Sequence, residues 1–200
     1  MACGQLPNGL VGKDIGPFDR INMISVRRIR IGESELFKRM RLTSLREAPF
    51  AFSSTYESAL RRSPESWTDQ ADRSAQGSDR ATLIAFSGDS PIGIAALYRD
   101  RDRMDVGEVL QVWVAPEYRR KGVALGLMDA IFQWAKENGF RKIVATITKG
   151  NTRALRFYQK CGFRLVDCAS LDGPDDPTLM KEIEVEQAHT PDALPRAGDA

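Results

Sequence analysis

This chain of 200 residues is short of the side chains from which metal sites and disulfide frameworks are built. It has one histidine, His189, and three cysteines, Cys3, Cys161 and Cys168. An odd number of widely spaced cysteines suits a reducing compartment better than a disulfide scaffold. A lone histidine in a Pro- and Ala-rich stretch, with no cysteine spacing around it, excludes a zinc site of the usual kind, so no metal is expected. Strong net charge is also missing: 29 basic against 27 acidic residues leave +2, which gives no electrostatic case for nucleic acid. No run of about 18 apolar residues exists, and the N-terminus lacks both the charged start and the apolar centre of a signal peptide. The chain therefore reads as cytoplasmic, with no membrane partner. The two commonest phosphate loops, G-x-x-x-x-G-K-[ST] and G-x-G-x-x-G, are absent as well.

What is present is enough apolar sequence, 42%, for one sizeable core at this length, and too little for two comfortable domains. Residues 1–23, rich in Gly, Pro and polar side chains, read as a flexible leader, with Met23 an alternative start, and residues 187–200 as a disordered tail. Residues 24–186 form the expected single domain. Within it Ser25–Ile31 alternates as a first strand, and Glu33–Glu47 carries Leu36, Met40 and Leu45 near helical spacing until Pro49. The aromatic turn from Pro49 to Tyr56 leads into two short helical stretches. Ala81–Phe86 and Pro91–Tyr98 flank a Ser-Gly-Asp-Ser turn and form a hairpin. Arg99–Asp105 reads as a solvated charged connection. Lys142–Thr148 is the next strand, Asn151–Lys160 a short helix, and Phe163–Val166 and Leu179–Val185 the last strands. Three antiparallel strands followed by strand, helix, strand imply an α/β (α+β) fold: a mixed, mostly antiparallel sheet of about six or seven strands flanked by helices, with one parallel βαβ crossover.

The most informative stretch is Gly107–Gly126, GEVLQVWVAPEYRRKGVALG. Val109 to Val114 is a strand that Ala115-Pro116 ends, since proline withdraws an N–H from the ladder. Arg119, Arg120, Lys121 and Gly122 then precede an apolar helix, Leu125–Asn138, which Gly139 closes. A strand feeding a glycine-bearing turn and a helix start leaves several N–H groups without intrahelical partners at the positive end of the helix dipole. That is an anion site, with Gly122 admitting a ligand oxygen close to the main chain and three cations around it.

Arg119-x-x-Gly122-x-Ala124, directly after a strand, resembles the [QR]-x-x-G-x-[GA] signature of the GNAT superfamily of acyl-CoA-dependent N-acetyltransferases. The string N-x-x-A-L-x-F-Y-x-K-C-G-F, Asn151 to Phe163, resembles the same family's C-terminal motif. The resemblance implies acetyl-CoA as cosubstrate: its pyrophosphate on the amides of Arg119, Arg120, Lys121, Gly122, Val123 and Ala124, and its pantetheine arm along the backbone of Val112, Trp113 and Val114. It also implies contacts from Asn151 and Ala154, and Tyr158 beside the thioester sulfur as proton donor to the departing thiolate. A strand amide near Val112 or Val114 would polarise the thioester carbonyl.

Acetyl transfer to an amine needs the amine neutral, because an ammonium has no lone pair, so a base is expected. Glu108 is the leading candidate. On an unbulged strand it shares a face with Leu110, Val112 and Val114, and its place before Arg119 resembles that of the glutamate base in the lysine-acetylating branch of the superfamily. Asp105 is the runner-up, and His189 is excluded by its setting. Cys161 as a covalent nucleophile has no partner histidine. The expected reaction is direct attack by a primary amine of a small molecule or protein in a ternary complex. The alternative is a non-catalytic acyl-CoA-binding regulatory module in which Glu108 is incidental. Phe50, Phe52, Tyr56 and Trp67 are candidates for acceptor contact, although aromatics in such segments are more often core. Asp167, Asp172, Asp175 and Asp176 fall in one loop and hint at a cationic acceptor such as a polyamine, an aminoglycoside or a protein lysine. The oligomeric state, a homodimer included, is left open.

Overall fold

The computed structural model describes residues 24–166 and 177–183. The leader, the tail, Cys3, Cys168, His189 and the acidic loop lie outside the described residues. Seven strands, β1 (Ile24–Arg28), β2 (Arg80–Ser87), β3 (Ser90–Arg99), β4 (Val106–Val114), β5 (Lys142–Thr146), β6 (Arg164–Leu165) and β7 (Thr178–Glu182), form one sheet in the order β1-β2-β3-β4-β5-β7-β6. Every pairing is antiparallel except β4 with β5. The expected mixed sheet with a single parallel crossover is therefore what forms. Five helices accompany it: α1 (Ser34–Glu47), α2 (Tyr56–Leu60), α3 (Pro64–Ala75), α4 (Val123–Glu137) and α5 (Thr152–Lys160).

The helices divide the core between the two faces of the sheet. The crossover helix α4 buries Val123, Leu127, Met128, Ile131 and Ala135, the three-to-four-residue spacing of one helical stripe, and Gly139 at φ 76° ends it as a left-handed cap. This stripe and Tyr158 of α5 pack with Leu83, Ala85, Ala95, Leu97, Val109 and Val114. On the other face Phe37, Met40 and Leu45 of α1 and Trp67 and Ala71 of α3 pack on Ile84, Phe86, Ile94 and Trp113. Trp67 is 1% exposed and meets Phe37 edge-on, so it is core and cannot be an acceptor contact.

Two sequence expectations need correction. β4 is bulged: its register with β3 shifts between Ile94 and Ala96, and Gln111 sits at φ 59°, a left-handed conformation that costs a non-glycine residue about 1 kcal/mol or more. The bulge reverses the alternation, so Glu108 does not share a face with Val112 and Val114. Those valines pack on the α4 side, while Trp113 points to the α1 side. Glu108 pairs across the strands with Tyr98, and Ile94 of the same β3 face packs on the α1 side, which places Glu108 there too. Arg99, expected in a solvated connection, belongs to β3, lies 3.8 Å over the Phe140 ring and donates to the carbonyls of Ser78 (2.9 Å) and Asn138 (2.8 Å).

Candidate active site

The parallel pairing of β4 and β5 is short: it joins Val106, Gly107 and Glu108 to Lys142, Ile143 and Val144 and then stops, although β4 continues to Val114. Parallel strands that part open a wedge at their C-terminal ends, and the β5-facing backbone groups of the later β4 residues are left without a strand partner. One of them is taken internally, the Val114 carbonyl accepting from Arg119 Nε at 2.9 Å. At the bulge the Gln111 side-chain oxygen is buried with no donor among the described residues.

Beyond β4 a single 3₁₀ turn, Pro116–Tyr118, leads to Arg119, then Arg120 at φ 64° and Gly122 at φ 82°. Gly122 is the N-cap of α4 and supplies no side-chain cap, and the first turn of α4 has no acidic residue. The amides there are thus offered outward. An added Cβ on Gly122 would meet nothing within 4 Å, so the space above the turn is open. Pro116, Arg119, Arg120 and Arg153 line a cleft of about 460 Å³. Arg153 lies in the first turn of α5, where the helix dipole favours an acid, and its presence there is the signal in the sequence that could have revealed it. Lys121 stands over the Tyr118 ring at 5.3 Å. Val123 is buried, so only its main chain can face a ligand, and Ala124 and Ala154 are half-buried against the core. Asn151 caps α5, its side-chain oxygen accepting from the Ala154 amide at 3.0 Å, which leaves its NH₂ group free of that cap bond as a donor.

Arg119 is held from behind. Its guanidinium pairs with Glu47 at the C-terminus of α1, and the same carboxylate oxygen accepts from Trp113 Nε1 at 2.9 Å. Burial opposes ionisation of Glu47, but the hydrogen bonds from Arg119 and Trp113 and the charges of Arg119 and Arg153 outweigh it and hold the carboxyl below its usual range. Nothing in the sequence points to Glu47, which lies 72 positions from Arg119.

Glu108 is half-buried at the last residue pair before the strands part. Burial raises its pKa, a long hydrogen bond from Thr146 Oγ1 (3.4 Å) opposes the rise, and the Asp100 charge adds to it. Tyr158 is 7% exposed; burial pushes its hydroxyl well above the usual value, and the charges of Cys161 and Glu108 push the same way. Glu108 and Tyr158 pack on opposite faces of the sheet, and the Glu108 charge is nonetheless felt at the Tyr158 hydroxyl. Asp105 is exposed at the other end of β4, its carbonyl accepting from the Arg141 and Lys142 amides, on the wrong side of the pairing to face the wedge. Burial raises the Cys161 thiol, Asp129 adds to the effect and Lys181 and Lys160 oppose it without reversing it, so the thiolate is disfavoured as a nucleophile. Phe50 is fully outside at 89% exposure, Phe52 lies under Arg41, and Tyr56 pairs with Arg46. Among the described residues no group of three or more His, Cys, Asp or Glu is placed to hold a metal, and no helix is long and apolar enough to cross a membrane.

A family model described as Acetyltransferase (GNAT) family matches residues 46–163, more than half of the chain. The chain belongs to this family. Among solved structures the GNAT fold recurs in an acetyltransferase from Streptococcus pneumoniae, at a TM-score of 0.67 and 19% identity over 81% of this chain and 100% of that one. It recurs also in the PaiA N-acetyltransferase of Thermoplasma acidophilum in complex with coenzyme A, at a TM-score of 0.64 and 24% identity over 80% of this chain and 99% of that one. An uncharacterized N-acetyltransferase of Mycobacterium tuberculosis is 35% identical over 86 residues, 43% of this chain and 54% of the relative. Mycothiol acetyltransferase of Propionibacterium freudenreichii is 29% identical over 112 residues, 56% of this chain and 34% of the relative. The chain thus spans at most about half the length of these curated relatives.

Proposed function

We propose that the protein is an N-acetyltransferase that moves the acetyl group of acetyl-CoA to a primary amine by direct attack in a ternary complex. The observation that carries this reading is the wedge between β4 and β5, with an uncapped, arginine-lined helix start beside it and Glu108 where the strands part. The chain's own groups fit a CoA thioester. The turn amides and Arg120 and Arg153 suit a diphosphate, and the unpaired edge of β4 suits an amide-bearing arm. That a neighbour of the same fold was solved with coenzyme A is consistent with this.

In this reaction Glu108 takes the proton from the ammonium, directly or through a water, and the freed lone pair attacks the thioester carbonyl. The C–S bond breaks, the sulfur leaves toward Tyr158, and the second proton of the attacking nitrogen passes to the departing sulfur, directly or through water, so that the products are the amide, the CoA thiol and protonated Glu108. With its pKa raised, the Tyr158 hydroxyl stays protonated, so its part is a hydrogen bond to the departing sulfur; a complete transfer is favourable only if the same dry setting raises the thiolate as well. Tyr158→Phe is expected to lower kcat roughly 10-fold with KM for acetyl-CoA little changed, read by thiol release under saturating amine. The regulatory-module alternative predicts CoA binding without turnover. Thiol release with acetyl-CoA over a panel of amines tests the assignment, and binding with no turnover on any amine would overturn it.

Glu47 serves as a positioning residue, tying Arg119 and Trp113 together behind the turn. Glu47→Gln is expected to raise the Kd for CoA about 3- to 10-fold, because a neutral amide still accepts a hydrogen bond and loses only the charge on a half-exposed pair. The kcat with saturating acetyl-CoA should hold. Calorimetry with CoA and steady-state kinetics separate this outcome from general loss of structure.

A further inference from the structure

The acceptor side of the sheet holds two arginines, Arg41 and Arg62, that form no ion pair among the described residues. Arg41, on the inner face of α1, is 6% exposed, yet no carboxylate pairs with it among the described residues. Its Nη1 donates to Ser44 Oγ at 3.2 Å and its guanidinium lies 4.9 Å over the Phe52 ring. A guanidinium has five N–H donors, and a buried charge without a counter-ion is expensive to keep. Arg62, half-buried, lies 3.9 Å over the Trp67 ring and donates through Nη2 to the Ser66 carbonyl and hydroxyl at 3.0 Å. Burial draws the Arg41 pKa down to about 10, Tyr98 pulls it the other way, and the Arg62 charge adds a smaller push downward. Burial lowers Arg62 as well, again opposed by Tyr98.

Tyr98 stands between this cluster and the proposed base. It is the cross-strand partner of Glu108, so both side chains leave the same face of the sheet. Its hydroxyl accepts from Gln70 Nε2 of α3 at 2.7 Å, which leaves its own O–H to donate. A third cation, Arg80, lies 5.1 Å over the Tyr98 ring, with its own partner Asp79 at 3.2 Å. Donors from α1, from the segment before α3 and from β3 therefore gather on the side of the sheet that Glu108 faces, and neither Arg41 nor Arg62 has a carboxylate partner among the described residues.

We propose that the acceptor amine carries an anionic group, a carboxylate or a phosphate, that Arg41 and Arg62 bind beside Tyr98 while the amine reaches Glu108. This rests on the acetyltransferase reading and narrows its substrate class, and it runs against the cationic acceptor that the acidic loop suggests. The bound anion supplies the counter-charge that the cluster lacks, and a planar guanidinium suits either oxyanion in a two-pronged contact.

The test pairs amines that differ only in charge: α- and ω-amino acids against their amides, phosphoethanolamine against ethanolamine, with putrescine as a cationic probe. The anionic member of a pair is expected to exceed the neutral one by about tenfold or more in kcat/KM, and whichever oxyanion gives the larger ratio identifies the group. Arg62→Gln is expected to cut that ratio about tenfold, through KM, and Arg41→Lys, which keeps the charge but loses the fork, to cut it as well. Equal use of both members, preference for putrescine, or an unchanged ratio in folded Arg62→Gln and Arg41→Lys would overturn the proposal. Calorimetric binding of the same pairs to the full chain is measured alongside. If no amine is acetylated but the anionic members still bind more tightly and lose that advantage in Arg62→Gln, the acetyltransferase reading fails and the anion site stands. Equal binding with no turnover sinks both.

Discussion

Replacing Glu108 by glutamine is expected to lower kcat for acetyl transfer by roughly 10²- to 10⁴-fold, the usual worth of a positioned general base, with CoA affinity nearly unchanged. Glutamine keeps the size of the side chain and can still accept the hydrogen bond from Thr146 Oγ1, so what is removed is the capacity to hold a proton. Steady-state kinetics with a slow amine, so that chemistry limits, and calorimetry with CoA check the two halves. A rate within about threefold of the parent would take Glu108 out of the mechanism and leave a water chain as the base.

The same residue sets a pH dependence with a definite sign. The base works as a carboxylate, so activity falls as pH drops through the pKa of Glu108 in the folded protein. Burial, with Asp100 adding and Thr146 opposing, raises that pKa, so the acid limb of the profile should lie above the ordinary glutamate range and should vanish in Glu108→Gln. Stability moves the other way. A folded-state pKa above the unfolded one means that the fold prefers the neutral form, a contribution present below the unfolded pKa and lost as pH rises through the folded one. At neutral pH the ionised side chain therefore works against the fold, and Glu108→Gln should melt at the same or a higher temperature. A rate loss together with an undiminished melting temperature cannot be assigned to unfolding.

The strand, turn and helix from Val106 to Glu137 were legible because their signals are local: apolar alternation, a proline that ends the ladder, a glycine at the helix start and one just past its end. The antiparallel run and the one parallel crossover followed from the same kind of signal, a hairpin turn and a crossover helix, whereas the place of β7 between β5 and β6 has no such local mark. The bulge was not legible. It falls at Gln111 in a run with no glycine to mark it, so the faces assigned to Val112 and Val114 came out reversed. Glu47 and Arg41 act through partners that only the folded chain brings near, and neither residue type in a helix is unusual. Trp67 could be read either as core or as acceptor contact until its burial was seen. Arg153 is the one contributor to the cleft that the sequence offered and the motif reading passed over, a cation in the first turn of a helix.

Gly122→Asp should abolish measurable CoA binding while leaving the domain folded. Gly122 holds φ 82° and ψ −10°, a conformation that costs an ordinary side chain about 1–2 kcal/mol but is tolerated better by aspartate. Aspartate is also a favoured helix N-cap, where Gly122 supplies no side-chain bond, and an added Cβ would meet nothing within 4 Å. The cap gain over glycine, a few tenths of a kcal/mol, offsets only part of that cost, and a net loss of about 1 kcal/mol lowers the melting temperature by about 2–4 °C in a chain of this size. The carboxylate, however, would stand in the open space above the turn, beside the amides that face an incoming diphosphate. Like charges brought together across an interface cost several kcal/mol, which corresponds to a Kd raised roughly 10²- to 10³-fold. Gly122→Ala separates the two contributions: it carries the backbone cost without the charge, and should weaken binding far less than the aspartate. Calorimetry with CoA at two salt concentrations decides the matter, because a repulsive charge is screened as ionic strength rises and a distorted turn is not. Affinity in Gly122→Asp within about threefold of the parent would remove the diphosphate from this turn, and with it the placement of the thioester next to Glu108.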